Sequence, residues 1–469
     1  MTDTGKMNKL KDYLIGDKFF YRRVLWIVLP IIIQNTITNV VSLLDNVMVG
    51  RVGTLEMSAV AIVNQLLFVF NLCVFGGLSG AGIFATQFAG AKDDDGVRHC
   101  FRLKLFICGA ILLISLLIFG IFPKQLISLY LAENTSPADA AATIGFGLDY
   151  IRVMSIGIIP FAVSMVYSSS LREVGETKLP MYASISAIFV NLLFNYLLIF
   201  GALGFPKLGV VGAAIATTLS RFVEMFVVVV FTHKRRGEFK FIKSVYRNFH
   251  VPKSLCAGVF KKGTPVLLNE LLWSMGVAFY LQCYSVRGLQ VVAAANIAST
   301  VNNLFNVVLI SAGSAVAIMV GQCLGANEIE NAKKTVWRLM VATILSCVLV
   351  GLVLAALSGV LPHIYNTEAE VKELATTFMQ IIAFMMPFAA FTHNSYFTLR
   401  SGGKTLITFF FDSGFMWLIS APIAFLLANY TSISIELLYF SVLSLDFIKC
   451  IIGFFLVKKG VWISNIVNE

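Results

Sequence analysis

The chain has 469 residues, 58% of them hydrophobic and 13% charged, with a formal net charge of +11. Ordinary globular domains carry roughly 25% charged residues, so forty Phe and a mean hydropathy of +0.83 place this chain in lipid rather than water. The positive balance is spread over many short segments, which argues against a nucleic-acid-binding domain. No Walker motif, His-Glu-x-x-His or placeable Ser-His-Asp set points to a nucleotide or to hydrolysis, so the chain is not expected to be an enzyme or to hold a cofactor.

Apolar stretches long enough to cross a bilayer, about 20 residues each, predict helices over 24–46, 58–81, 101–122, 143–169, 180–201 and 208–231. A second set covers 264–285, 291–320, 336–361, 374–398, 405–428 and 436–457. The fold class is therefore an all-α polytopic membrane protein with twelve transmembrane helices, and the lack of period-two alternation excludes a transmembrane barrel. Met1–Lys18 is polar and basic and lacks the apolar core of a signal peptide, so the first helix is expected to stay as an anchor. Lys and Arg concentrate before helix 1 (Lys6, Lys9, Lys11, Lys18, Arg22, Arg23), after helix 2 (Lys92, Arg98, Arg102, Lys104), after helix 4 (Arg172, Lys178) and most of all after helix 6. Loops of the opposite parity hold only Arg51, Lys124, Lys207, Arg287 and Lys372. This bias predicts a multi-pass protein of the cytoplasmic membrane with both termini cytoplasmic and basic loops facing anionic headgroups. Eight scattered Cys without a Cys-x-x-Cys read as small apolar fillers.

Residues 24–120 overlay 259–355 with a shift of 235: Pro30 falls on Pro265, Asn71 on Asn306, and Gln87-Phe-Ala-Gly90-Ala91 on Gln322-Cys-Leu-Gly325-Ala326. Further on, Leu171-Arg172-Glu-Val-Gly175-Glu-Thr177 meets Leu399-Arg400-Ser-Gly-Gly403-Lys-Thr405. A repeat of half the chain is one bundle duplicated and fused, as in many secondary transporters. It predicts two pseudo-symmetric six-helix lobes, an N-lobe over 1–232 and a C-lobe over 263–469, joined by a cytoplasmic linker over 233–262. Within the linker, Phe239, Phe241, Val245 and Phe249 could form one face of a short surface helix; a plain tether is the simpler expectation.

Charges inside a membrane segment mark pathways or coupling sites by default. Asp45 lies near the end of helix 1, Glu270 five residues past Pro265 in helix 7, Asp412 in helix 11 and Arg221 in helix 6. Asp149 and Arg152 are three apart and can neutralise each other. Asn191 and Asn195 are four apart in helix 5, as are Ala213 and Thr217 in helix 6, so each pair shares a face. Carboxylate, amide carbonyls and hydroxyl are hard oxygen donors that suit a small hard cation, or a proton relay if the carboxylate is protonated. An Asn pair can equally be interhelical glue, and Asp412 could pack against His393 or Asn394. Gly76-Gly77-x-x-Gly80-x-Gly82 lies inside helix 2 and reads as close packing, not a phosphate loop.

These residues together resemble the multidrug and toxic compound extrusion (MATE) family of antiporters over about 20–460. The resemblance is carried by Asp45-Asn-Val-Met-Val-Gly50-Arg51, Gln87-x-x-Gly90-Ala91, Leu171-Arg-x-x-Gly-x-Thr-Lys178 and Leu208-Gly-Val-x-Gly212-Ala-Ala-x-Ala-Thr217. It implies alternating access by two six-helix lobes and expulsion of amphipathic, often cationic, compounds in exchange for Na⁺ or H⁺, with no nucleotide, nucleic acid or resident cofactor. It further implies cation coupling at Asp45, Asn191, Asn195, Ala213 and Thr217, with Asp45, Asn191, Asn195 and Thr217 holding the ion if it is Na⁺. Glu270 matches an acid common in helix 7; Lys404 stands where an acid is common, a departure from the pattern in the second half. Glu270, Asp412, Met385, Met386, Phe70 and Phe161 are candidates for the substrate cavity, Met because it repacks easily. A flippase of lipid-linked saccharides is the alternative within the same architecture, but it would want a more basic cavity.

Overall fold

A computed structural model describes residues 13–131, 136–365 and 367–468; Lys6, Lys9 and Lys11 lie outside the described residues. Among the described residues twelve helices are long and apolar enough to cross a membrane. They are α1 Lys18–Gly50, α2 Thr54–Gly90, α3 Asp94–Ile121, α4 Pro137–Glu173, α5 Lys178–Phe200 and α6 Gly209–Lys234. Then follow α7 Lys253–Ser285, α8 (Leu289–Phe305 and Val307–Gly325), α9 Ile329–Leu357, α10 Ala369–Ser401, α11 Thr405–Tyr430 and α12 (Ile435–Ser444 and Asp446–Lys458). No strand occurs among the described residues. Each predicted span has its helix, and most helices run on past the apolar stretch. With 37 residues α2 extends about 55 Å, well beyond a hydrocarbon core of about 30 Å.

Local signals set several ends. The Ser136 hydroxyl accepts the Asp139 N–H at 3.1 Å with Pro137 at the first helical position, so α4 starts there. Gly201 at φ +72 ends α5 in the left-handed conformation that glycine adopts without strain. Pro30, Pro265, Pro160 and Pro387 lie inside α1, α7, α4 and α10, in pairs that echo the duplication; neighbouring helices in a bundle make interior Pro tolerable.

Several local departures were not legible in the periodicity, a turn at Leu445 within α12 among them. Asn306 splits α8 with ψ −10, whereas its repeat mate Asn71 lies inside an unbroken α2. The middle of α11 widens into π turns over Phe410–Gly414 and Met416–Ser420. There α7 takes a donor that a regular helix would use itself: the Ser413 N–H donates to Asn269 Oδ1 at 3.1 Å, and the Ser413 hydroxyl adds a bond to the Asn269 carbonyl at 2.9 Å. Between α6 and α7 no surface helix forms. The stretch holds a single 3₁₀ turn over Lys240–Ile242, with Phe239, Phe241 and Val245 buried and only Phe249 exposed. The aromatic spacing there serves insertion into the bundle, not an amphipathic face, and α7 begins at Lys253, inside the stretch expected to be linker.

The described residues fall into two compact units. One comprises Ile33–Ala85 and Asp94–Val259; the other comprises the described part of Met1–Ile32, Thr86–Asp93 and the described part of Phe260–Glu469. In the first unit α6 packs along α5 and α4, and a Cβ at Gly212 would meet the Leu198 carbonyl oxygen, which explains the small residue. In the second, α10 is central: Phe378, Met379, Ala390 and Leu399 are almost wholly excluded from solvent. The two Gln-x-x-Gly copies meet inside this second unit. A Cβ on Gly90 would overlap the Gln322 carbonyl, and one on Gly325 the Gln87 carbonyl. Gln87 is fully buried, donating to the Ser401 and Ser464 carbonyls at 2.9 and 3.1 Å and accepting from the Ile466 N–H at 2.9 Å.

Candidate cation and substrate sites

The close approach of α5 to α6 at Gly212 brings the two expected residue pairs together. Asn195 Nδ2 donates to Asp45 Oδ1 at 2.6 Å and to Asn191 Oδ1 at 3.1 Å; Asn191 Nδ2 in turn donates to Thr217 Oγ1 at 3.3 Å. Four of the five expected coupling residues thus form one polar ladder across α1, α5 and α6. The ladder lies along a cavity of about 360 Å³ lined by Asp45, Asn195, Ala213 and Thr217, together with Tyr150 and Arg221. Both amide protons of Asn195 are in use, and among the described residues its Oδ1 is buried without a hydrogen-bond partner. A buried acceptor left unpaired costs about 1–3 kcal/mol, and a carbonyl oxygen in that state is a ready ligand for a cation. Among the described residues no group of three or more His, Cys, Asp or Glu could hold a metal ion; the ladder's carboxylate, amide and hydroxyl oxygens are hard donors.

Arg221 lines the same cavity, its guanidinium 4.9 Å over the Phe161 ring. It is held by Glu224, at 3.1 Å. The other Glu224 oxygen accepts from Ser184 Oγ at 2.6 Å; Ser184 accepts from Gln34 Nε2 at 2.6 Å, and Gln34 Oε1 accepts from Arg172 Nη2 at 2.7 Å. A second polar chain therefore runs through α6, α5, α1 and α4 of this unit. Sequence reasoning missed Glu224 although it stands three residues from Arg221, the spacing of a helical ion pair.

In the second unit Glu270 and Asp412 belong to one network. Glu270 Oε1 accepts from the Tyr396 hydroxyl at 3.3 Å and lies 3.9 Å from Arg400 Nη1. Asp412 pairs with Lys449 at 2.9 Å and accepts from Asn269 Nδ2 at 3.1 Å; its polar contacts among the described residues are to these two side chains. Lys449 also lies 4.0 Å from Asp446. Lys449 and Asp446 stand three apart inside the predicted twelfth span, a local signal of an intramembrane pair. Here a lysine ammonium already occupies the place beside Asp412 that a free cation would take.

The remaining substrate candidates are scattered. Phe161 lines the first unit's cavity, and Phe70 packs on it with ring centroids 6.0 Å apart. Met385 and Met386 are buried in α10, Met386 within an apolar cluster beside Phe378 and Met379. Asp149 and Arg152 pair at 3.4 Å on an exposed face. Lys104, expected among the loop charges, is instead fully buried on α3 and ion-paired with Glu173 at 2.5 Å.

The profile of the MatE family matches residues 30–197 and 265–426, one stretch in each half. A probable multidrug resistance protein YoeA of Bacillus subtilis is 26% identical over 424 residues, covering 88% of each chain. A probable multidrug resistance protein NorM of Thermotoga maritima is 25% identical over 430 residues, covering 90% of this chain and 89% of its own. Among solved structures, an outward-facing multidrug resistance MATE family transporter of the MOP superfamily superposes with a TM-score of 0.85 at 16% identity, over 96% of this chain and 97% of its own. Both repeats, nearly the whole length and the helical architecture agree: the chain belongs to the MatE family, the MATE multidrug efflux transporters.

Proposed function

We propose that this protein is an antiporter of the cytoplasmic membrane that expels amphipathic, cationic compounds in exchange for Na⁺ or H⁺, with both termini cytoplasmic. In this reading an N-lobe over 1–232 and a C-lobe over 263–469 alternate access about the linker 233–262. The observation that supports it most is the ladder Asp45–Asn195–Asn191–Thr217 beside a cavity, with one buried amide oxygen unsatisfied. Na⁺ would take oxygens from these four side chains; H⁺ would sit on the Asp45 carboxylate. Either ion removes the bare charge of Asp45 and lets α1 repack against α5, changing the cavity wall. Exchange then follows because ion and drug favour different states, and a ligand that binds both states equally shifts nothing. Glu224 pairs with Arg221 at 3.1 Å, and in this reading that pairing keeps the guanidinium from claiming the Asp45 carboxylate in place of a mobile cation. In the other lobe, Glu270 would attract cationic cargo: its contact with Arg400 is the longer one, 3.9 Å, whereas Asp412 is matched by Lys449 at 2.9 Å.

The test is drug efflux from proteoliposomes with Na⁺ and pH gradients imposed separately. Asp45→Asn mimics the neutral carboxyl at constant volume and is expected to abolish gradient-driven efflux while substrate binding to the folded protein persists. Accumulation of drug against its gradient by the Asp45→Asn protein would sink the coupling role.

A further inference from the structure

The segment joining α6 to α7 is fastened to its own unit by arginines of α3. Arg98 Nε donates to the Phe241 carbonyl at 3.1 Å, and Arg102 donates to the carbonyls of Val245, Ser244 and His250 at 2.9, 3.1 and 3.2 Å. Ser244 is held at φ +56, a left-handed conformation unusual for a residue with a side chain. Unusual backbone of this kind persists where the surroundings over-determine it, often at ligand sites. The fold of this segment leaves an open cavity of about 550 Å³ lined by His233, Arg236, Lys243, Ser244, Tyr246 and Arg247 among others. Its aromatic wall is ordered: the His233 and Tyr246 rings stack with centroids 5.9 Å apart, and the Tyr167 hydroxyl bonds both Tyr246 and His233.

The charges around this cavity differ from those next to it. Arg235 is satisfied by Glu238 at 2.5 Å and Glu176 at 3.2 Å, and its guanidinium holds the Glu238 carboxyl below the usual carboxylate range. Arg98 is paired with Asp95. Arg236, Lys243 and Arg247, by contrast, make no ion pair and no side-chain hydrogen bond among the described residues, and no acid lines the cavity. Three uncompensated cations converging on one pocket, with a serine and a tyrosine hydroxyl beside them, lack an anion. Guanidinium forks and an ammonium match phosphate oxygens in charge and in donor geometry, and the cavity begins at His233, inside the final turn of a membrane-spanning helix.

We infer that this cavity binds a phosphate group through Arg236, Lys243 and Arg247, carried either by an anionic lipid headgroup or by a free phosphate. The occupied site would clip the two ends of the segment together and hold it against α6. It does not depend on the ion coupling proposed for Asp45.

The experiment is native mass spectrometry of the full-length protein in detergent, titrated with dioctanoyl phosphatidylglycerol, with dioctanoylglycerol (the same chains without the phosphate) and with inorganic phosphate. A triple variant Arg236→Gln/Lys243→Gln/Arg247→Gln is compared with a control of equal charge change, Lys124→Gln/Lys207→Gln/Lys459→Gln. Wild type and control are expected to bind the phospholipid and not the diacylglycerol, and the triple variant to bind it on the order of a hundredfold more weakly. Competition by inorganic phosphate assigns the site to a free phosphate, and its failure to compete assigns it to a headgroup. Equal binding by the triple variant, an equal loss in the control, or binding of dioctanoylglycerol would each overturn the inference. Should the triple variant fail to fold, the single change Lys243→Gln at an exposed side chain is expected to weaken binding about fivefold, and an unchanged affinity there refutes the site.

Discussion

At the scale of single residues, helical spacing carried the first unit's site and failed on partners. Asn191 and Asn195, four apart, and Ala213 and Thr217, four apart, each share a helix face by spacing alone, and the Asn pair and Thr217 do form one ladder with Asp45. The partner of Asp412 could not be read that way. Lys449 lies 37 positions away on another helix, and nothing local in either segment states the pairing. Glu224 was local to Arg221, yet its bearing on the cavity could not be read from spacing, because it depends on where the Arg221 side chain reaches. Its role supports a definite expectation. Glu224→Gln releases Arg221, which lines the same cavity as Asp45 and would then compete with the coupling ion for that carboxylate. The cation concentration at half-maximal efflux should rise roughly tenfold, the equivalent of about 1.4 kcal/mol, with maximal efflux retained. A Glu224→Gln protein with unaltered cation dependence would show that the pair only ties α6 to itself.

Among helices and their contacts, apolar runs located every span, because a bilayer demands length and hydrophobicity and little else. The breaks escaped because they arise from tertiary hydrogen bonds: α11 widens where Asn269 of α7 draws off the Ser413 N–H, and no propensity in Phe410–Gly414 announces it. π turns of this kind are common at functional sites, and this one contains Asp412. The repeated Gln-x-x-Gly was legible as a motif, but its reason is spatial: each glycine faces the other copy's glutamine backbone at a distance that admits no Cβ. Gly325→Ala must therefore move backbone and should cost about 1–3 kcal/mol or more. Gly109→Ala on α3, where a Cβ would meet nothing within 4 Å, should cost nothing measurable. Thermal unfolding of the two purified variants in the same detergent separates them; equal midpoints would mean that the Gly325 contact yields without strain.

For the molecule as a whole, the duplication and the family were written plainly in the sequence, while orientation rests on loop charge and is open to direct measurement. The structure alters that charge count without reversing it. Lys104 leaves the tally because it is buried against Glu173, and Arg287, on the opposite side, is spent on the Leu427 and Thr431 carbonyls at the end of α11. The segment between α6 and α7 carries Arg236, Lys243 and Arg247 uncompensated among the described residues, against single lysines such as Lys124 and Lys207 in loops of the other parity. Cationic loops are retained on the cytoplasmic side during insertion. A cysteine at Lys240, which is exposed, should then be shielded from an impermeant thiol reagent in intact cells and should react once the membrane is opened. A cysteine at Thr367, between α9 and α10, should react in intact cells. Both are read in a background with the eight native cysteines replaced. The opposite labelling would invert the topology, placing the basic segment outside and turning the proposed direction of export into import. The phosphate cavity would then face the outer leaflet, so the same labelling also decides which lipid surface Arg236, Lys243 and Arg247 can meet.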